Sequence, residues 1–254
     1  MKQWPSATGV DSSILSQLRE QLAVACRIIH FQGWSVQGHS SARTPGSHVI
    51  LSQRHYHPEG KSLADVTPDD MVQLPATGAG PADDDLMEEY HLHVGIYDGR
   101  PDIDAICYGH PPHAVALSMV DAPFIPASLS GAFFPLGASR IDLGGFPFVL
   151  TAAAGATVGR ALGKSNALLI RGKGLVTVGA SVQEATVLFG MFEAAVRGQV
   201  LAMVLGQIIP LTSSELETFA QSELRAQIIS NQWKFHEEQL LKHGRLPWRD
   251  AGKG

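Results

Sequence analysis

The sequence predicts a single α/β domain around a mixed or antiparallel sheet. Its 254 residues are 44% hydrophobic and 17% charged, enough apolar material for one sizeable core and too much for wholesale disorder. Helical periodicity and short apolar runs interleave along the chain. Several connections between the runs are too short for parallel crossovers, so some neighbouring strands must pair antiparallel. No internal repeat or linker divides the chain. Residues 1–254 are therefore one domain, with a flexible arm over about 1–13 and a C-terminal helix and tail over about 213–254.

The first helix is ILSQLREQLAVACRIIHFQG, where Ile14, Leu18, Leu22, Ala25, Ile28 and Ile29 recur at helical spacing. Asp11, Ser12 or Ser13 can cap it and Gly33 stops it. SSAR leads through the turn-rich TPGS into HVILS, a short strand. VTPDDMVQL reads as a turn with a brief helical start and then a strand, and PATGAGPADDD as an exposed loop. DLMEEYHLHVGIYDGRP predicts a helix ended by Gly99 and Pro101. Ile103 to Cys107 predicts a strand, and PPHAVALSMV a helix with proline in its first turn. PFIPASLSGAFFPLGASRIDLGG is loop and edge strand, residues 152–162 an Ala-rich helix, and NALLIRGKGLVTVG two strands around the turn RGKG. A long amphipathic helix follows, with Ser181 and Glu184 spaced as a capping box. The last helix is expected from about Ser213 to Leu241.

Composition excludes several partners. The formal charge is −5 with 11 histidines counted neutral, and no long basic block is present, which argues against nucleic acid or an anionic membrane. No apolar run is read as reaching the ~18 residues of a membrane span. MKQWPSATGVDSS lacks the apolar core of a signal peptide. Cys26 and Cys107 stand far apart with no CxxC pair, which fits a reducing compartment, so a cytoplasmic protein is expected.

The residues that could do chemistry are modest signals one by one. In HLH, His91 and His93 stand two apart on a predicted helix and cannot chelate one ion together; one packed and one solvated ring is the plainer reading. His110 and His113 flank a Pro-Pro pair at a strand-to-helix junction, with Tyr108 two residues before His110. Glu89, four residues before His93, is a general base or a solvent-facing acid. Lys173 lies in a Gly-flanked turn, where a lysine is more often solvated than buried.

Their order, however, resembles the class II aldolase/adducin family. EEYHLHVGIYDGRPDIDAICYGHPPHAVALS is similar to its E-x-x-x-H-x-x-x-Y-x-x-R-P-D-x-x-A-x-x-H-x-H-P-P-x-A-x-A-x-S signature. GHSSAR resembles its G-N/H-x-S-x-R loop, and LLIRGKGLVTVGASVQEA its L-x-R-x-H-G-x-x-x-x-G-x-x-x-x-E-A segment. Three separated motifs in one order, over roughly residues 15–205, make the resemblance specific. It implies a three-layer αβα sandwich around a mostly antiparallel sheet, assembled as a homotetramer with sites between subunits. It also implies an enzyme in which three histidines hold a divalent metal and a carboxylate moves the proton, many members cleaving sugar phosphates by retro-aldol reaction and others decarboxylating, epimerising, dehydrating or oxidising. For this chain a lyase on a small carbonyl or carboxylate substrate is expected, acting by decarboxylation, by aldol or retro-aldol reaction, or by cyclisation or dehydration through an enolate.

Matched residue by residue, Glu89 takes the acid/base position and His110 that of one metal ligand. Tyr108 and Lys173 stand where the other two histidines belong. A phenol is a reluctant ligand at neutral pH and an ammonium repels a divalent cation. No cofactor is therefore expected, with zinc, manganese or iron as the second reading. Lys173 in the vacated place could stabilise an enolate or form a Schiff base, with Tyr108 and His110 as proton donors and Glu89 as base. His39, Ser40, Ser41, Arg43 and His113 are the expected substrate-binding residues, with Arg43 or Arg54 fit to grip a carboxylate. Phe133 and Phe134 could wall an apolar pocket, although core packing suits at least one ring better. Trp233 and Phe235 could meet another subunit or the core. Two other functions stay open: a non-catalytic adducin-like module, and an iron-type decarboxylase built on His110, His113 and a carboxylate.

Overall fold

The computed structural model describes residues 11–45, 49–53, 62–75, 89–144 and 148–250. The early arm, Arg54, most of PATGAGPADDD and the start of the helix predicted before Glu89 lie outside the described residues.

Seven strands form one sheet: β1 (Gly38–Arg43), β2 (Val49–Gln53), β3 (Met71–Pro75), β4 (Ala105–Gly109), β5 (Ser139–Ile141), β6 (Ala167–Ile170) and β7 (Gly174–Gly179). Their order is β3-β2-β1-β4-β7-β6-β5. Every pairing is antiparallel except β5 with β6. Helices α1 (Ser12–Phe31), α3 (Pro112–Ser118), α4 (Leu129–Ala132), α6 (Val182–Leu205), α7 (Ser213–Ala220), α8 (Glu223–Lys242) and α9 (Pro247–Asp250) complete the chain together with α2 (Tyr90–Gly99) and α5 (Ala152–Leu162).

Helices on both faces make the three-layer αβα sandwich. Side chains alternate along a strand. On β4, Cys107 therefore joins the core beneath α1 and α6, while Ile106 and Tyr108 join the core beneath α2 and α5. β4, β6 and β7 are buried along their whole length, which explains their unbroken apolar runs.

GHSSAR folds as β1, a strand between β2 and β4, where sequence reading saw a loop. Gly, His and Ser have poor strand propensity, but internal partners satisfy this strand. Gln53 Nε2 donates to Gly38 O at 2.7 Å, and Ser52 Oγ donates to Ser40 O at 2.9 Å. The strand expected at Ile103–Cys107 lies two residues later.

The expected last helix is two helices. Ser222 is extended at the start of α8, and its hydroxyl donates to Phe219 O, so the chain turns between Ala220 and Glu223. The bend lets Phe219 meet Phe133 edge-on and brings Trp233 into the core, while Phe235 is exposed. Phe133 and Phe134 are both fully buried, within an aromatic group that includes Phe124, Phe192 and Phe219. The Ser181–Glu184 cap is half formed: Ser181 Oγ accepts from Glu184 N–H, but the Glu184 carboxylate accepts from Ala180 N–H.

By length and composition alone α6 could cross a membrane, contrary to the expectation that no run would be long enough. Half of its most apolar window is buried inside the fold, which accounts for its apolarity as a core helix. Its last turn is the exception, with Leu201, Val204 and Leu205 exposed.

α2 and α5 cross at glycines. A Cβ on Gly95 would lie 2.0 Å from Gly155 O, and one on Gly159 would lie 2.0 Å from Gly95 O. This crossing fixes the height of α2 above the sheet, and α2 carries two residues of the site.

Candidate active site

Four elements bring the site together. Glu89 is the N-cap residue of α2. Tyr108 is the last residue but one of β4, His39 opposes it across the β1–β4 ladder, and Lys173 occupies the turn from β6 to β7. Gly172 in that turn has φ +65, and Lys173 N–H closes it on Ile170 O at 3.0 Å. Gly174 has no room for a side chain: a Cβ there would stand 2.5 Å from Gly109 O and 3.0 Å from the Tyr108 ring. That close approach sets Lys173 beside Tyr108.

The lysine is buried, contrary to the usual fate of a residue in such a turn. Its Nζ lies 2.6 Å from Glu89 Oε1 and 3.5 Å from the centre of the Phe148 ring. Val149 N–H also donates to Glu89 Oε1, at 2.9 Å. Burial alone would raise the Glu89 carboxyl, but His39 and Lys173 beside it hold it down, to about 2. Glu89 is thus a resting carboxylate and a weak base while Lys173 faces it.

Tyr108 stacks on His39 with ring centres 4.6 Å apart and meets His110 edge-on at 5.2 Å. Burial, and then the negative charge of Glu89, push its phenol well above the ordinary range, so it keeps its proton. Its hydroxyl is buried with no hydrogen-bond partner among the described residues. An unpaired buried donor costs about 1–3 kcal/mol, a penalty that a ligand oxygen would relieve.

His110 is anchored at two points. Its backbone N–H donates to Ser35 Oγ at 2.9 Å, and Nδ1 lies 2.8 Å from Lys173 O. A carbonyl only accepts, so Nδ1 carries a proton and Nε2 is the ring atom left to face the cluster.

His39 also leads away from the cluster. Its Nδ1 lies 2.6 Å from His93 Nε2, His93 Nδ1 lies 2.5 Å from Ser41 Oγ, and Ser41 Oγ lies 2.9 Å from the Tyr97 hydroxyl. His93 and Tyr97 were absent from the residues expected to act. His93 is four residues after Glu89 and Tyr97 four after that, a helical spacing that was the available signal.

The structure does not bring every expected residue here. Ser40 faces the opposite side of the sheet, where its hydroxyl meets Cys107 Sγ at 3.5 Å. Arg43, at the far end of β1, donates to the carbonyls of Tyr97 and Arg100 and lies over the Tyr97 ring, closing the C-terminal end of α2. His113 Nδ1 lies 2.6 Å from Glu193 Oε1, and that carboxylate also accepts from the backbone N–H of His113 and Ala114. Glu193 thereby caps α3. A groove of about 810 Å³ on the α2–α5 pair, lined in part by His91, Asp98, Arg100 and Arg160, contains none of the cluster.

The donor set suits a metal ion poorly. Around the Lys173 ammonium stand a protonated phenol, the imidazoles of His39 and His110 and a carboxylate already bound to the lysine. Among the described residues no group of three or more His, Cys, Asp or Glu could hold a metal ion. The cluster can instead place a positive charge and an unpaired O–H donor beside a developing negative oxygen.

Comparison with known proteins agrees with the sheet and the motif order. The family profile described as Class II Aldolase and Adducin N-terminal domain matches residues 20–200. The chain is 29% identical over 181 residues to 3,4-dihydroxyphthalate decarboxylase of Arthrobacter keyseri, covering 66% of this chain and 71% of that protein. It is 31% identical over 180 residues to the protein of the same name from Terrabacter sp. (strain DBF63), covering 66% and 73%. The crystal structure of an aldolase II superfamily protein from Pseudomonas syringae superposes with a TM-score of 0.78 at 21% identity, covering 93% of this chain and 96% of that one.

Proposed function

This chain belongs to the class II aldolase and adducin family, and within it we propose a metal-independent lyase that decarboxylates a hydroxylated aromatic acid or a similar enolisable carboxylate. The observation that carries this reading is the buried Lys173–Glu89 pair in the position matched to a metal-binding histidine. The relatives named 3,4-dihydroxyphthalate decarboxylase support the reaction class.

A proton first reaches the ring carbon that bears the carboxylate and turns the adjoining phenolate into a carbonyl; when the C–CO₂ bond then breaks, its electron pair passes back through the π system to that oxygen. Lys173 Nζ stabilises the negative charge that develops there, as the metal does in the family's usual arrangement. The Tyr108 hydroxyl donates a hydrogen bond to the same oxygen. Tyr108 or His110 supplies that proton before CO₂ leaves and takes another from solvent once the product has gone. Glu89 serves mainly as counter-ion to Lys173. A Schiff base fits less well, because the ammonium would first have to give its proton to a carboxylate held at about 2. The iron-type site built on His110 and His113 is disfavoured by Glu193, which occupies His113 Nδ1.

The test combines metal content with turnover. Protein purified without chelators is expected to carry far less than one metal per chain and to release CO₂ from 3,4-dihydroxyphthalate or simpler hydroxybenzoates unchanged by EDTA. Lys173→Met is expected to lower kcat by about 100-fold or more, the scale of removing one charge-stabilising donor. Stoichiometric zinc, manganese or iron with EDTA inhibition would sink the metal-free reading. Borohydride trapping of substrate on Lys173 would replace the electrostatic role with a covalent one. Failure to turn over any carbonyl or carboxylate substrate would favour the non-catalytic module. We further place the chain in a homotetramer with sites between subunits, supported by the exposed apolar end of α6 and checked by light scattering.

A further inference from the structure

We propose that Ser41 and His93 are positioning residues: with Tyr97 they form a one-way hydrogen-bonded array that turns the Nε2–H of His39 toward Glu89. This deepens the active-site reading above and rests on it for its catalytic consequence, though the array itself can be read without any substrate.

The direction follows from the partners at the two ends. Glu89 is bound by the Lys173 ammonium and by Val149 N–H through Oε1, so its other oxygen can only accept. That oxygen, Oε2, stands 3.8 Å from His39 Nε2. The separation is too long for a hydrogen bond, but it places a full negative charge directly before that nitrogen. With the proton on Nε2, His39 Nδ1 is an acceptor, so His93 must donate from Nε2 across the 2.6 Å contact. His93 Nδ1 then accepts, Ser41 Oγ donates to it, and the Tyr97 hydroxyl donates to Ser41.

The reversed array fails at both ends. It would turn the His39 Nε2 lone pair toward the carboxylate, and it would leave the Tyr97 O–H with no acceptor among the described residues. Each intervening group is closed off from solvent: Ser41 and His93 are 0% exposed and Tyr97 is 3% exposed. Bulk solvent therefore offers these groups no alternative partners, and one orientation is favoured from Tyr97 to His39. Its product is a fixed N–H dipole on the Glu89 side opposite Lys173, and the carboxylate is held between the two.

The array is tested by two-bond ¹H–¹⁵N correlation spectra of the imidazoles in the substrate-free protein at neutral pH. Signals are assigned by their loss in His39→Asn and His93→Gln. His39 and His93 are each expected neutral, with a protonated Nε2 and a bare Nδ1. Ser41→Ala, which removes the donor to His93 Nδ1, is expected to convert both rings to tautomer mixtures, while Tyr97→Phe leaves them nearly unchanged. A protonated Nδ1 on either ring of the unaltered protein, or an imidazolium, overturns the proposal. So does a Ser41→Ala spectrum identical to the parent.

The positioning role has its own readout. His93→Gln, confirmed folded by circular dichroism, is expected to lower kcat about ten-fold with KM within about two-fold, the pattern of a group acting only in the transition state. Unchanged kcat overturns that role; should this variant not fold, Ser41→Ala takes its place. A protein that turns over no substrate refutes the proposed function but leaves the tautomers to decide the array.

Discussion

Lys173 Nζ stands 2.6 Å from Glu89 Oε1, and each of the two side chains is 6% exposed. Two opposite charges at that depth depend on one another: removing one leaves the other buried without its counter-charge. Lys173→Met or Glu89→Gln alone is expected to cost about 3–5 kcal/mol of stability, the usual result of breaking a buried pair. The double variant Lys173→Met/Glu89→Gln is expected to recover most of that loss while staying inactive. Urea unfolding at constant m-value measures all three. A double variant no more stable than the sum of the singles would mean the pair does not act as a unit.

The same carboxylate predicts a pH dependence. Glu89 has its folded value lowered from 4.5 to about 2. Because the folded value lies below the unfolded one, the unfolded chain takes up the proton first as pH falls. The stabilisation is complete above about 4.5 and is lost progressively toward 2. His39 and His93 are shifted the same way from 6.5, chiefly by burial, so their part begins to fall below that pH. The urea midpoint is expected to decline in two stages on acidification, the first below 6.5 and the second below 4.5. Glu89→Gln should show a smaller second stage, the remainder coming from carboxylates such as Asp65 and Asp102 that hydrogen bonds also hold below their usual values; an unchanged acid limb in that variant would rule Glu89 out as a source.

The sheet was legible because β4, β6 and β7 are apolar throughout, and short connections ruled out parallel crossovers. β1 was not, since GHSSAR looks like a loop until Gln53 and Ser52 are seen to satisfy it. Glu89, Tyr108, His110 and Lys173 could be picked out by motif order, and the structure brings these four together. The array through His93 was hidden for a geometric reason: His93 lies on α2 while Ser41 and His39 lie on β1, and only tertiary packing joins them. Arg43 misled because an arginine suited to a carboxylate ligand is equally suited to helix-terminal carbonyls.

The β6–β7 turn contains two glycines that should respond differently. Gly172 has φ +65 with nothing within 4 Å of its Cβ position, so alanine there meets only backbone strain, about 1–2 kcal/mol. Gly174 has an ordinary backbone, but its Cβ would strike Gly109 O at 2.5 Å. Gly174→Ala must therefore push β7 from β4 at the end that carries Tyr108 and Lys173. It is expected to abolish turnover, whereas Gly172→Ala retains most of it at modestly reduced stability. Steady-state rates beside urea midpoints separate the two, and equal loss of activity in both would show that the close approach does not set the site.

The α2–α5 crossing gives a remote test of the same geometry. Glu89 and His93 ride on α2, whereas Lys173, Tyr108, His39 and Ser41 belong to the sheet and its turns. Anything that lifts α2 must separate Glu89 from Lys173 and His93 from His39 and Ser41. A Cβ on Gly95 would lie 2.0 Å from Gly155 O, so Gly95→Ala has to lift the helix or tilt it. Overpacking of this kind typically costs about 1–3 kcal/mol. Its effect on catalysis should exceed that stability loss, because proton positions and charge separations respond to displacements of a fraction of an ångström. Gly198→Ala is the matched control: it lies in α6, its Cβ would meet nothing within 4 Å, and alanine there should stabilise by up to about 1 kcal/mol without changing the rate. Rates measured well below each variant's unfolding transition make the comparison. Gly95→Ala with near-normal turnover would show that the site tolerates movement of α2, and the rigid placement of Glu89 would have to be abandoned.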